Sequence, residues 1–143
     1  GVAVAVVDAL RVPVAPLAPL LGAAGPPKVL HDLTFDARML AEAGAPLAGA
    51  RDTSVAARML GCAATGLASL VQSELGVAID KQLQQHDWAR RPLASAEQRY
   101  LADDVLHLLP LEARLAERAR ALGIEDEIAE ECAYKLAAAL GPP

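Results

Sequence analysis

Short apolar runs alternate with amphipathic segments along this chain, and this alternation constrains the fold more than any other feature of the sequence. The strand candidates are the opening "GVAVAVVDAL", the run "KVLH" at 28–31 and the run "PLAGARD", which ends near Asp52. Val-rich or short apolar runs bounded by turn residues favour strands. Strands separated by helices predict an α/β layer architecture with a small mixed sheet and many helices.

Helices are predicted between and after the strand candidates. Prolines and glycines delimit a short helix in "PVAPLAPLLGAAGPP". The helix in "TFDARMLAEAG" is predicted to place Phe35, Met39 and Leu40 on one face and to stop at Gly44. Two further helices are predicted in "DTSVAARMLG", capped by Asp52, and in "GLASLVQSELG".

The C-terminal half is predicted to be helical. "SAEQ" at 95–98 matches a capping box, and Pro110 is expected to kink or restart the helix that follows. A last helix is predicted from about residue 124 to 140, because its acidic start suits the positive end of the helix dipole. The expected inward side of the helix after residue 95 is apolar and comprises Leu101, Val105, Leu108 and Leu109.

Composition excludes several classes of protein. Hydrophobic residues make up 54% of the 143 residues. The formal net charge is -5, and a negative chain is not suited to coating nucleic acid by bulk electrostatics. Its two cysteines lack the spacing of a disulfide framework or zinc site, which favours a cytoplasmic protein. No uninterrupted apolar run is long enough to span a membrane.

Tyr100 and Asp104 are the first candidates for chemistry. Residues four apart on a helix share a face, so the phenol and the carboxylate project together, whereas Asp103 is turned by about 100°. Taken alone, the pair favours a half-buried tyrosine beside a solvated aspartate. Asp36 is the third candidate, because it lies in the first turn of a helix that follows a strand. On spacing alone, a carboxylate stabilised by the helix dipole is the favoured interpretation of Asp36.

Four motifs, taken together, change that interpretation. "KVLHDLTFDARML", "DTSVAARMLG", "DKQLQQHDWARRPL" and "YLADDVLHLLPL" follow one another in this order between about Lys28 and Leu115. This arrangement resembles the ribonuclease D family of 3'-5' exonucleases, the tyrosine branch of the DEDD nucleases. The histidine of the sister branch would stand at position 99, which is Arg99 here. The resemblance implies a ribonuclease H-like exonuclease fold.

The resemblance also implies roles for individual residues. Asp36 and Asp104 would be catalytic carboxylates that hold Mg²⁺ or Mn²⁺ in a two-metal site, since these cations prefer oxygen ligands. Tyr100, protonated at neutral pH, would orient the attacking water. Lys81 would contact the backbone of the substrate, a single-stranded RNA or DNA 3' end.

Neighbouring residues have plainer interpretations. Arg90 and Arg91 are expected to balance local acids in a solvated loop, and Trp88 is expected to anchor that loop by packing. Asp52 is expected to cap its helix without a catalytic role. His86 replaces the small residue that the family usually has before this Asp-Trp pair. No role is assigned to the remaining histidines, His31 and His107.

The family's first motif, an Asp-x-Glu pair on the first strand, does not occur in these 143 residues; Asp8, for example, is followed by Ala9 and Leu10. The expected fold is therefore an N-terminally incomplete exonuclease domain covering 1–143, without the family's C-terminal helical nucleic-acid-binding domain.

Three hypotheses follow. The chain is an exonuclease whose missing acids come from another segment or chain, with impaired activity alone; it is an inactive nucleic-acid-binding or scaffolding module; or it is a helical interaction domain that shares only the fold.

Overall fold

The computed structural model describes residues 3–80 and 87–142, most of which are helical. Two strands are present in these ranges, β1 (Lys28–Leu30) and β2 (Ala50–Asp52). A 3-10 turn at Ala15–Leu17 leads into the first helix, and a π-helical turn at Val71–Leu75 extends the fourth. The helices are α1 (Ala18–Leu21), α2 (Leu33–Glu42), α3 (Thr53–Met59), α4 (Leu67–Leu70), α5 (Ser95–Leu106), α6 (Leu108–Leu122) and α7 (Glu125–Leu140).

The sheet consists of β1 and β2, which pair in parallel with Lys28 opposite Ala50 and Leu30 opposite Asp52. Both strands were predicted, but the predicted strand at the N-terminus is wrong for residues 3–8, which have no regular secondary structure. Val4, Val6 and Val7 are exposed there. A Val-rich segment has strand propensity, but it becomes a strand only by pairing, and no described strand pairs with this segment.

The core is aliphatic and rich in alanine. One cluster packs α3 and α4 against α6, and a second packs α2 against α7 and the start of β2. In the second cluster Ala37 and Ala139 are both buried, and their small side chains leave room for α2 and α7 to approach each other closely. No helix within residues 3–80 and 87–142 is long and apolar enough to cross a membrane.

Two predicted apolar helix faces are buried only in part. On α2 the buried residues are Leu33 and Ala37, with Leu40 partly buried, whereas Phe35 is 70% and Met39 52% exposed. The close packing of α2 on α7 involves the small residue Ala37, while Phe35 and Met39 point outward. On the second face, Leu101 is partly buried, but Val105 and Leu109 are exposed and only Leu108 is buried.

An interruption of the helix explains the second difference. The predicted single helix is two helices, because α5 ends at Leu106 and α6 begins at Leu108, with Pro110 in the first turn of α6. Of the kink or restart predicted near Pro110, the structure shows a restart, which begins at Leu108. The predicted capping box is shifted by one residue: Ala94 is the N-cap, and its N–H donates to the Glu97 carboxylate at 2.8 Å. Ala94 has no side-chain acceptor, so only half of the box forms.

A buried carboxylate joins three parts of the fold. Asp52 caps α3 as predicted, accepting from the Ser54 N–H at 2.9 Å. It also accepts from the backbone N–H groups of Asp32 at 2.8 Å and Leu33 at 3.0 Å, at the start of α2. Lys135 of α7 donates to it at 2.7 Å and to the Asp32 carboxylate at 2.9 Å. Asp52 thereby holds the β1–α2 turn, the start of α3 and the middle of α7 together.

The backbone conformation of Asp32 depends on this network. Its φ of 59° lies in the left-handed region, which few residues other than glycine adopt. The bond from its N–H to Asp52 stabilises that conformation and directs the chain from β1 into α2. Burial alone would raise the pKa of Asp52, but donation from Lys135, Leu33, Ser54 and Asp32 outweighs burial and lowers the pKa to about 2.

Asp52→Asn is expected to reduce the free energy of unfolding by about 3 kcal/mol, because it leaves Lys135 without its buried partner. A folded-state pKa of about 2, against an ordinary 3.8, also gives wild type roughly 2 kcal/mol of stability. That stability is fully present above pH 3.8 and is lost as pH falls toward about 2.

Urea unfolding at neutral and acidic pH measures both effects. Glu117→Gln is the control, since Glu117 pairs with Arg114 on the surface at 3.4 Å and is 67% exposed, so its loss should cost at most about 0.5 kcal/mol. Equal stability of the Asp52 and Glu117 variants would contradict the assigned role of Asp52.

Candidate active site

A pocket of about 450 Å³ brings the three predicted catalytic residues together. Asp36, Tyr100 and Asp104 all line it, although Asp36 belongs to α2 and the other two to α5. The carboxyl end of β1 and the start of α4 form the other walls, together with Ile79 and Asp80. Side chains separated by 64 or more positions in sequence therefore share one cavity.

Each side chain reaches the pocket for a local reason. Asp36 lies in the first turn of α2, whose start is held by the Asp52 carboxylate. Tyr100 and Asp104 lie one turn apart on α5 and therefore project from the same face, as predicted. The pocket combines these polar groups with apolar contacts from Leu67, Ile79 and Val105, among others.

Partial burial and neighbouring carboxylates together determine the electrostatics of the pocket. Partial burial and the negative charges of Asp32 and Asp52 raise the pKa of Asp36. Partial burial and the charge of Asp103 raise the pKa of Asp104. A bound cation would offset this repulsion, since a divalent ion favours the ionised form of its ligands. Burial and the carboxylates of Asp104 and Asp80 raise the pKa of Tyr100, so its phenol is protonated at neutral pH.

The donor set suits a hard cation, because Asp36 and Asp104 both offer carboxylate oxygens to the pocket. These two residues alone do not make a complete ligand set. Within residues 3–80 and 87–142, no group of three or more His, Cys, Asp or Glu side chains is arranged to hold a metal ion.

A stack of aromatic rings borders the pocket. Trp88 lies against Tyr100 with ring centroids 5.5 Å apart and ring planes 30° apart, which confirms its predicted packing role. Arg91 donates to the Asp8 carboxylate through Nε at 2.8 Å and Nη2 at 2.9 Å. Arg91 balances an acid, as expected, but that acid is not local, because it lies 83 positions away.

Two pocket residues were not predicted. His31 lines the pocket, and its Nδ1 lies 2.8 Å from the Thr53 hydroxyl. Burial lowers the pKa of His31, which favours its neutral form. Asp80 also lines the pocket, and its place directly before Lys81 in the third motif was the available signal. The predicted substrate residue Lys81 lies outside the described residues, as does His86.

A smaller cavity of about 100 Å³ lies between β2, α6 and α7. Arg51, Asp52, Glu112 and Cys132 are among its lining residues, and none of the predicted site residues reaches it. The larger pocket is therefore the candidate active site.

Comparison with known proteins also indicates a 3'-5' exonuclease. The family model described as 3'-5' exonuclease matches residues 1–120. Ribonuclease D of Pseudomonas paraeruginosa is 41% identical over 108 residues, which cover 69% of this chain and 28% of the relative. Ribonuclease D of Acidiphilium cryptum is 38% identical over 134 residues, covering 91% of this chain and 34% of the relative. The chain thus spans about a third or less of the length of these relatives.

Solved structures show the same fold. Escherichia coli ribonuclease D, described as an exoribonuclease involved in structured RNA processing, superposes with a TM-score of 0.82 at 29% identity over 90% of this chain and 35% of its own. NrnC of Brucella melitensis gives 0.80 at 29% identity over 86% of this chain and 61% of its own. NrnC has also been solved with bound Mg²⁺ and with pGG.

The match covers more of the chain than the four motifs do, because it extends from residue 1 to residue 120. The resemblance is therefore one of family and not of fold alone. The chain belongs to the 3'-5' exonuclease family and is a ribonuclease D-like member of it, with a ribonuclease H-like fold.

Proposed function

We propose that Asp36, Tyr100 and Asp104 form part of the active site of a ribonuclease D-like 3'-5' exonuclease acting on single-stranded RNA or DNA 3' ends. The observation that carries the proposal is their convergence on one pocket from two separate helices. The proposed substrate is supported by two relatives, ribonuclease D, whose structure is described as that of an exoribonuclease, and NrnC, solved with pGG.

Asp36 and Asp104 would hold Mg²⁺ or Mn²⁺ in this pocket, and Mg²⁺ bound to NrnC supports that choice of cation. When bound, the metal supplies an activated water and stabilises the leaving oxygen of the phosphodiester. Each carboxylate provides negative charge next to further carboxylates, Asp32 and Asp52 beside Asp36 and Asp103 beside Asp104, and this charge favours cation binding.

Tyr100 would orient the attacking water by hydrogen bonding. Its raised pKa keeps the phenol protonated, so the hydroxyl retains a proton to donate. Lys81, which follows the pocket residue Asp80 in the chain, would contact the phosphate backbone of the substrate. The pocket's apolar wall at Leu67 and Ile79 would limit the access of bulk water.

Further acidic ligands are required, because Mg²⁺ sheds its water reluctantly and is held by well-placed carboxylates. We propose that another segment or chain supplies them, since these 143 residues contain no Asp-x-Glu pair. The isolated chain is accordingly proposed to be weakly active at best.

The second candidate function is that of a catalytically inactive module of the same fold that binds nucleic acid or serves as a scaffold. It is favoured by the lack of a three-ligand metal cluster in the described ranges. The two candidates differ in one measurable respect, since the inactive module would bind a single strand without shortening it under any condition.

Cleavage of labelled single-stranded RNA and DNA with Mn²⁺ is expected to be weak for the chain alone. It should rise when a peptide carrying the opening strands of the Escherichia coli ribonuclease D exonuclease domain is added. Asp104→Asn is expected to lower that restored rate by more than about 100-fold, since even residues that only support metal ligands cost 10- to 100-fold.

The matched control is Asp103→Asn. Asp103 is adjacent to Asp104 on the same helix and is turned by about 100° from it, so the loss of its carboxylate should lower the rate only a few-fold. An equal loss in both variants would contradict direct metal binding by Asp104. Binding without cleavage in every mixture would instead support the inactive module.

Tyr100→Phe is expected to lower kcat of the restored enzyme by about 100-fold, because one positioned hydrogen-bond donor is lost. Mn²⁺ affinity, measured by titration calorimetry, should stay nearly unchanged, since the phenol is not proposed as a ligand. A collapse of Mn²⁺ binding in this variant would refute the water-orienting role.

A further inference from the structure

We propose that Asp8 and Arg91 act as a positioning pair, which holds Trp88 against Tyr100 and thereby fixes the direction of the phenol in the pocket. The inference rests on the proposed function, because it assigns the pair an effect on the rate through Tyr100. Asp8 and Arg91 themselves are not among the residues that line the pocket.

The first link is a two-point ion pair. The Arg91 guanidinium donates from Nε to Asp8 Oδ2 at 2.8 Å and from Nη2 to Asp8 Oδ1 at 2.9 Å. Two parallel bonds from a planar guanidinium restrict its orientation as well as its position. The Arg91 bond is the main reason that the pKa of Asp8 is lowered to about 2, so the carboxylate is ionised at neutral pH. Asp8 also accepts the Leu10 N–H at 3.1 Å, which orients its carboxylate.

The second link runs from the guanidinium to the loop that carries Trp88. Arg91 Nη1 donates to the carbonyl oxygen of Trp88 at 2.6 Å and to that of Arg90 at 3.0 Å. All three nitrogens of the guanidinium are therefore used, one pair by Asp8 and the third by the backbone of residues 88 and 90. The ion pair fixes where the backbone of Trp88 lies.

The third link is the ring stack. The Trp88 ring lies 5.5 Å from that of Tyr100, and a stacked neighbour of this kind restricts rotation of the phenol ring. Tyr100 is partly buried and belongs to α5, whose only buried residue is Glu97. With so little of α5 buried, the contact with Trp88 is an important constraint on the ring. Small displacements of a group that orients a reactant reduce the rate strongly.

The chain contains a single tryptophan, so its fluorescence reports on Trp88 alone. In Arg91→Gln the emission is expected to shift to longer wavelength and acrylamide quenching to increase, because the ring leaves its partner. In the enzyme restored with the strand peptide, kcat should fall about three- to tenfold, as expected for one stacking contact, while KM changes little. The matched control is Arg90→Gln, since the neighbouring Arg90 side chain is exposed and should leave emission and kcat unchanged.

A double-mutant cycle separates positioning from general stability. In a Tyr100→Phe background, Arg91→Gln should lower kcat no further, because the effect passes through the phenol. The conservative variant Arg91→Lys should retain part of the emission and of kcat that Arg91→Gln loses, because a lysine still pairs with Asp8 and still donates; a nonspecific loss of folding would not show this recovery. Thermal unfolding of each variant confirms that the folded protein is being assayed.

The outcomes distinguish the inference from the proposed function. Unchanged Trp88 emission in Arg91→Gln overturns the inference, whether or not the restored enzyme cleaves. Shifted emission with unchanged kcat overturns it as well, and so does an additive loss of kcat in the Tyr100→Phe background. Failure of every mixture to cleave overturns the proposed function and, with it, the catalytic consequence of the pair.

Discussion

The buried carboxylate of Asp52 is the interaction on which the rest of the structure depends. A charge with 1% residual exposure is costly to remove from water, and here it is compensated by donors from the start of α2, the start of α3 and Lys135 of α7. Among the described residues, every buried side-chain nitrogen or oxygen has a hydrogen-bond partner. In the part of the chain that the structure describes, the sheet has only two short strands, so this network does much of what a larger sheet does elsewhere, which is to set the relative positions of the helices.

The same network determines where the candidate site lies. Asp36 follows the held N-terminus of α2 by one turn, so the position of its carboxylate is coupled to Asp52 through the backbone. Asp52 and the carboxylates of the pocket have opposite electrostatic surroundings. Asp52 is surrounded by donors that lower its pKa, whereas partial burial and neighbouring carboxylates raise the pKa of Asp36 and of Asp104. The Asp52 charge is matched by donors and stabilises the fold. The charges of Asp36 and Asp104 are not matched in this way, which favours the binding of a cation.

Local patterns predicted much of the fold. Glycines, prolines and caps located β1, β2 and the helices to within a few residues, because these signals act over one turn of chain. The failures arise from nonlocal contacts. The strand expected at residues 3–8 lacked a partner, and the outward positions of Phe35 and Met39 followed from the packing of α2 on α7. For the same reason neither the bond between Asp8 and Arg91 nor that between Asp52 and Lys135 was predictable from periodicity. The grouping of Asp36, Tyr100 and Asp104 was predictable only because the order of four motifs identified the family.

Because the helix is interrupted at His107, the two helices that carry the site residues, α5 and α2, are packed into the core to different extents. Helix α6 buries Leu108, Leu111, Leu115 and Ala119, and α2 is anchored through Leu33 and Ala37, whereas α5 buries only Glu97. Local unfolding free energy follows the amount of apolar surface that an element buries. Helix α5, which carries the phenol and one acid, therefore opens at lower cost than α2, which carries the other acid. The pocket is therefore bounded by one firmly anchored helix, α2, and one weakly anchored helix, α5, and any adjustment of its shape is expected on the α5 side.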